Sequence, residues 1–234
     1  MTENADPVIS SDRGRQILDA AAELVQRWGY QRVTVDDVAR QAGVSKGTVY
    51  LHFRSRTWLF LCVLMRESIG LVDELLSAIG RVPAAALIAE QVRSTYLAVQ
   101  QRPLLLAVYT RDGEMLGKLL NDGQTAPLHA WNAELAGDLF RLLRAHGLLR
   151  TDLDVDTQCQ IVGAVQTGFY LHRPALGTAE QVAAALHHTV HTAVEPTGPP
   201  DPDALAAVAP AVTARYRAFR AVLAAAITSQ EAAT

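Results

Sequence analysis

The stretch from Thr34 to Phe53, TVDDVARQAGVSKGTVYLHF, constrains this chain more than any other, because it leaves the backbone little choice but two short helices joined by a tight turn. Thr34 suits a helix N-cap, and Asp37 three residues on completes an acidic variant of the capping box. Val35, Val38, Ala39 and Ala42 recur at helical spacing and give one apolar face. Gly43 stands where the chain must leave that helix through a left-handed conformation, which costs glycine no Cβ clash. Ser45 then caps a second helix, whose Val49 and Phe53 point inward at i and i+4. The pattern is a helix-turn-helix. Lys46, Gly47, Thr48, Tyr50 and His52 are left for the outside, with Thr34 at the start of the preceding helix. A glycine-containing, hydroxyl-bearing helix start lets the backbone approach a base edge or a phosphate, and its N–H groups attract anions.

Charge agrees with that placement. No acidic residue occurs between Asp37 and Glu67, whereas Arg40, Lys46, Arg54, Arg56 and Arg66 are basic. The whole chain carries a formal charge of −3, so positive charge is concentrated here rather than general. A local basic face on a mildly acidic protein suits phosphate binding without diffuse stickiness. A solvated charge run is the plainer alternative, and the turn signature is what decides against it.

From about Arg13 to Leu64 the chain resembles the N-terminal domain of the TetR family of bacterial transcription regulators. The resemblance rests on ILDAAAELVQRWGY, on VTVDDVARQAGVSKGTVYLHF, and on a new helix after a short basic link. It implies that Lys46, Tyr50 and His52 lie against the DNA backbone and that Ser45, Gly47 and Thr48 reach base edges. Two departures stand out. Leu51 occupies a position where many relatives carry a second aromatic. After Phe53 the family often reads Lys-Glu-x-Leu, whereas this chain has Arg56-Thr57-Trp58-Leu59, so Arg56 takes the lysine's task against phosphate and the capping glutamate is lost.

Half of the 234 residues are hydrophobic, Ala and Leu dominate, and β-branched alternation is scarce, which predicts an all-α fold with a small head and a larger body. The longest apolar run, Trp58 to Met65, is far too short to span a membrane, and the polar N-terminus lacks an apolar signal region, so a cytoplasmic protein without membrane contact is expected. Cys62 and Cys159 sit far apart in apolar contexts and are expected to be buried and reduced.

In chain order, residues 1–11 read as a disordered arm and 12–55 as the helix-turn-helix domain, whose first helix is capped by Ser11 or Asp12, carries Ile17, Ala21, Leu24, Val25 and Trp28 on one face, and ends at Gly29. Residues 56–194 read as the helical body. A helix of about 24 residues from Arg56 would span roughly 36 Å. Pro83 opens another, with Ile88, Val92, Tyr96 and Val99 in register; Pro103 begins an apolar segment; 111–125 is loop-like with one helical turn. Pro127 opens a helix with Leu128, Trp131, Leu135, Leu139 and Leu142 inward, ended by Gly147. The phrase GLLRTDLDVD precedes the last two helices of many TetR-like proteins. The helix from Val155 to His172 is apolar on more than one side, as a helix buried between neighbours would be, and Thr178 and Gln181 cap the next, which runs through Val182, Leu186, Val190 and Val194. The resemblance implies that these two helices pair with their copies in a homodimer; a purely intramolecular role is the alternative. Residues 195–203 read as a Pro-rich linker, and 204–230 as an extra helix, marked by Ala218, Val222 and Ala225 with Phe219 and Leu223 beside them.

No GxSxG, GxxxxGK[ST] or HExxH motif occurs, so an enzyme is not expected, and neither is a cofactor. Asp152, Asp154 and Asp156 alternate as in some calcium loops but lack the remaining ligands, so helix capping is the expectation. His187 and His191 share a face beside His188, yet no Cys or Glu nearby in sequence completes a metal site. Phe60, Met65, Tyr96, Tyr109, Trp131, Gln166 and Phe169 together fit an apolar pocket with a few polar groups, open to an apolar or aromatic small molecule; ordinary core packing explains each of them singly. These readings lead to a ligand-responsive, homodimeric repressor of a double-stranded, near-palindromic DNA operator. A helical enzyme or carrier with a vestigial helix-turn-helix, and a transcriptional activator, are the alternatives.

Overall fold

A computed structural model describes residues 11–110, 112–116, 119, 126–171 and 177–228. The arm expected over residues 1–11, apart from Ser11, lies outside them, as do most of 117–125 and His172. The described residues form eleven helices: α1 (Asp12–Trp28), α2 (Val35–Gln41), α3 (Lys46–His52), α4 (Arg56–Arg81), α5 (Ile88–Gln100), α6 (Pro103–Thr110), α7 (Gly113–Leu116), α8 (Ala126–Ala145), α9 (Val155–Leu171), α10 (Ala179–Val194) and α11 (Pro202–Thr228). The fold is all-α, with an N-terminal helix-turn-helix. Two compact units divide the chain: one holds α1–α3, α4 as far as Gly70, α6, α7 and the end of α11 from Arg220; the other holds the rest.

In the first unit Ser11 caps α1 by accepting the Gly14 N–H at 3.0 Å, which fixes Ser11 as the cap. Ile17, Leu18, Ala21, Leu24 and Val25 are buried with Val38, Val49 and Phe53 of the helix-turn-helix. Each of these side chains except Ala21 contributes about 1.5–3 kcal/mol by leaving water. Trp28 departs from its expected inward place and is 48% exposed. It is the last residue of α1, and Gly29, at φ 75°, turns the chain away before anything can cover the ring. The start of α4 is held without a glutamate: the Ser55 hydroxyl accepts the Trp58 N–H at 3.1 Å. Arg66 on α4 pairs with Asp19 on α1 at 2.6 Å.

In the second unit α10 packs chiefly on α5 and also against α9, which in turn packs on α8. Pro83 opens only a short 3-10 turn, Pro83–Ala86, and α5 begins afresh at Ile88, with Ile88, Val92, Tyr96 and Val99 buried as expected. On α8 the buried set is Gly137, Leu139, Phe140 and Leu143, while Leu128, Trp131, Leu135 and Leu142 are not fully buried; the stripe that reaches the core is displaced toward the helix's C-terminal half. On α9 only Gln158, Val162 and Tyr170 are buried, so this helix is covered on one side within the chain rather than two. Glu195, expected in the linker, is buried at the end of α10, and α11 begins at Pro202. Along α11, Leu205, Val208, Val212, Tyr216, Phe219, Leu223 and Ile227 are buried, whereas Ala218, Val222 and Ala225 face out. The bulky residues at i+3 and i+4 take the core and leave Ala218, Val222 and Ala225 outside.

Candidate nucleic-acid interface

The helix-turn-helix is built from reciprocal local hydrogen bonds. Asp37 donates its N–H to the Thr34 hydroxyl at 3.2 Å, and the Asp37 carboxylate accepts from the Thr34 N–H at 3.0 Å and from its hydroxyl at 2.6 Å. Those donors, with Arg40 adding a smaller pull, hold the Asp37 carboxyl below the ordinary aspartate range. At the other end of α2 the Gly43 N–H reaches Arg40 O at 3.3 Å and the Val44 N–H reaches Ala39 O at 2.9 Å, with Gly43 at φ 65°. This is a Schellman closure, and it requires the left-handed residue that glycine supplies. Ser45 caps α3 through the Thr48 N–H at 3.0 Å.

The outward set of α3 follows from what it buries. Val49 is 1% exposed and Phe53 2%. Ser45, Lys46, Gly47 and Tyr50 are exposed, Leu51 is exposed as well, and Thr48 and His52 are half-buried. The hydroxyls of Ser45 and Thr48 lie 2.8 Å apart, so the two polar tips at the helix start are oriented by each other. A Cβ added at Gly47 would meet only Ser45 Oγ at 3.6 Å, an ordinary contact. Nothing within the protein requires a glycine there. Lys46 Nζ lies 2.7 Å from Asp36 on α2, and this carboxylate raises the ammonium's pKa.

Arg56 departs from its expected role. Its guanidinium turns back into the protein, donating Nε–H to Val33 O at 3.0 Å and a second N–H to Tyr30 O, and it lies 3.9 Å over the Tyr30 ring. The carbonyls of the α1–α2 connection are turned toward α4, and a guanidinium fork satisfies two of them at once. Arg56 therefore fastens α4 to that connection. Phe60 completes the cluster, edge-on to Tyr30 with ring centroids 5.1 Å apart.

The residues of the expected apolar pocket are scattered more widely. Phe60 and Met65 are buried and Tyr109 is half-buried, all in the first unit; desolvation pushes the Tyr109 phenol above its ordinary pKa. In the second unit Tyr96 is buried and lies 5.2 Å from Tyr170, ring to ring, while Trp131, Gln166 and Phe169 are half-buried. Cavities open there among the described residues. A groove of about 290 Å³ runs between α4 and α5 over Leu71, Leu75, Ala78 and Leu97, and a hollow of about 100 Å³ lies among Leu87, His146, His191 and the prolines after α10. Tyr96, Trp131, Gln166 and Phe169 line neither. Asp154 caps α9 by accepting the Thr157 N–H at 2.8 Å, which lowers its pKa, and Asp152 pairs with Arg150 at 2.6 Å. The histidines do have glutamates beside them in space: His187 lies 3.2 Å from Glu90 and His191 2.7 Å from Glu195. Among the described residues no group of three or more His, Cys, Asp or Glu could hold a metal ion. Cys62 is buried, Cys159 is half-buried, and desolvation raises the Cys159 thiol's pKa. No described helix is long and apolar enough to cross a membrane.

Residues 17–63 match the family model described as bacterial regulatory proteins, tetR family. The chain is 41% identical over 68 residues to the HTH-type transcriptional activator FasR of Mycolicibacterium smegmatis, covering 29% of each protein. It is 34% identical over 102 residues to the HTH-type transcriptional repressor KstR of Rhodococcus jostii, covering 43% of this chain and 47% of that one. The chain thus spans less than half the length of these relatives. The fold is that of the transcriptional regulator FadR from Bacillus subtilis, solved in complex with stearoyl-CoA, with a TM-score of 0.57 at 18% identity over 75% of this chain and 96% of that one. The match falls on α1, on the capped turn, and on the start of α4, so it is this N-terminal segment, residues 17–63, that is similar to the tetR family of bacterial regulatory proteins.

Proposed function

We propose that this chain is a ligand-responsive transcriptional regulator, a homodimeric repressor that binds a near-palindromic operator and is released by an apolar small molecule. The observation that carries the reading is the exposed start of α3. Ser45, Lys46, Gly47 and Thr48 stand clear of the core around a glycine that the protein's own packing does not need. Ser45, Gly47 and Thr48 read base edges. Lys46, Tyr50, His52 and the exposed Thr34 face the phosphates on either side. The longer of the two relatives' matches, over 102 residues, is to a repressor, which favours repression over activation.

Two copies are brought together by α9 and α10. Gly163, Ala164, Thr167, Gly168 and Leu171 form an exposed stripe on α9 at i, i+1, i+4, i+5 and i+8, and Ala184, Ala185 and His188 form one on α10. Nothing lies within 4 Å of a Cβ placed at Gly163 or Gly168, so a second backbone can come close. An apolar effector is favoured by the half-buried aromatic residues Trp131 and Phe169, with Gln166 on the same helix as Phe169 and Tyr96 buried in the same unit. The FadR structure with stearoyl-CoA is a precedent for a largely apolar ligand on this fold. The effector acts by favouring the arrangement of the dimer that does not dock on the operator.

Duplex binding tests the reading. Lys46→Ala should weaken binding to every sequence and flatten the salt dependence, by about 0.9 log unit for each phosphate that the lysine neutralises. Thr48→Ala should act unevenly across operator variants, by about 1–3 kcal/mol at the base pair it reads. Wild-type affinity in both variants would sink the assignment.

A further inference from the structure

Two arginines flank Ser55 in the link between α3 and α4, and the structure gives them opposite tasks. Arg56 faces inward, its guanidinium occupied by Val33 O, Tyr30 O and the Tyr30 ring. Arg54 faces outward. Its side chain is exposed, and its guanidinium carbon lies 4.3 Å from the centre of the Trp58 ring. Among the described residues no carboxylate pairs with it. Trp58 is half-buried and sits in the first turn of α4, where Ser55 Oγ accepts its backbone N–H at 3.1 Å; its indole Nε1 is buried, so packing rather than a hydrogen bond holds the ring.

The setting favours an anion. Arg54 follows the last residue of α3 by two positions, beside the exposed set of the recognition helix. The first turn of α4 has no acidic residue, and the sequence has none from Val38 to Arg66. The positive end of a 26-residue helix therefore lies next to an uncompensated guanidinium. A guanidinium held over an indole ring keeps its N–H donors available to an anion, and its fork matches two phosphate oxygens. Ordering by the ring reduces the freedom the side chain would otherwise lose on binding.

We propose that Arg54, held on Trp58, is the phosphate clamp at the start of α4, in the position that the sequence pattern assigns to Arg56. The clamp rests on the DNA-binding reading above. Its partner is the sugar-phosphate backbone of duplex DNA at the edge of the groove that α3 enters, and it carries affinity rather than sequence preference. Trp58 is a positioning residue.

The test uses the full-length protein and mixed-sequence duplex DNA, titrated between about 50 and 200 mM salt. Arg54→Ala should lower the salt slope by about 0.9 for each subunit in contact and weaken binding equally on unrelated sequences. Arg54→Lys should keep the slope, and Trp58→Phe should keep it too while lowering affinity a few-fold. Arg56→Ala should lower the melting temperature with the slope of the folded protein unchanged. A wild-type slope in Arg54→Ala, or a reduced slope in Arg56→Ala alone, overturns the clamp and leaves the DNA-binding reading standing. Wild-type protein that ignores duplex DNA at the lowest salt overturns both.

Discussion

Asp36 holds the Lys46 ammonium at 2.7 Å in the protein alone, so a phosphate that binds Lys46 must take the place of a carboxylate. Both partners are about half exposed, and an ion pair so solvated is weak enough to exchange. Asp37, one residue on, is tied to the backbone instead. The Thr34 hydroxyl and N–H stabilise its charged form, so its folded pKa lies below the ordinary value of 3.8. That stabilisation is fully present above the unfolded value and is lost as pH falls through the folded one. Thr34→Ala removes the hydroxyl that lowers the Asp37 pKa and the acceptor for the Asp37 N–H. The Asp37 carboxyl should then titrate closer to 3.8, read by NMR, and the acid side of the stability curve should lose that part of its pH dependence. Loss of the cap itself should cost about 1 kcal/mol at neutral pH, read from the urea midpoint. An unmoved Asp37 titration would contradict the assignment of the cause.

Glu195 joins elements that its sequence context gives no reason to connect. It follows the last turn of α10 and is 4% exposed. One carboxylate oxygen accepts the Ala89 N–H at 2.9 Å in the first turn of α5; the other lies 2.7 Å from His191 Nδ1. A carboxylate at a helix start satisfies an N–H that the helix leaves unpaired and complements its dipole. Arg150 adds to the same corner, its N–H bonded to Val194 O at 2.9 Å and its guanidinium reaching Thr192 O at 3.3 Å. Glu195→Ala leaves the Ala89 N–H buried without its acceptor and should cost about 1–3 kcal/mol in urea unfolding. Glu195→Gln keeps an acceptor oxygen and should lose less. Equal losses in the two variants would mean that the hydrogen bond is not what matters.

A single helix-turn-helix reads few base pairs, and the proposed dimer doubles the reading only when both copies dock together. Its recognition helices must then lie about 34–36 Å apart, one turn of duplex DNA. Gly168→Arg adds a charged side chain to the exposed stripe of α9 where nothing in the chain crowds it, so folding should be unaffected. The variant should sediment as a monomer and bind a two-half-site operator no more tightly than a single half-site, because the second contact is no longer intramolecular. A dimer that persists in Gly168→Arg would remove α9 from the interface.

Sequence alone determined the parts whose causes are local. The capping box at Thr34, the left-handed turn at Gly43, the cap at Ser45 and the buried pair Val49 and Phe53 all depend on residues within a few positions of one another, and each appears in the structure as the spacing requires. Asp154 as a helix cap was legible for the same reason. The tertiary structure decided everything that depends on who arrives from a distance. Helical periodicity names an apolar face but cannot say whether a neighbour covers it, which is why Trp28 lies open and α9 is buried on one side only. Nor can position in a motif say where a long side chain points. Arg54 and Arg56 are the same residue type two positions apart, and they were separated by the carbonyls of Tyr30 and Val33, which took one of them, and by the Trp58 ring, which took the other.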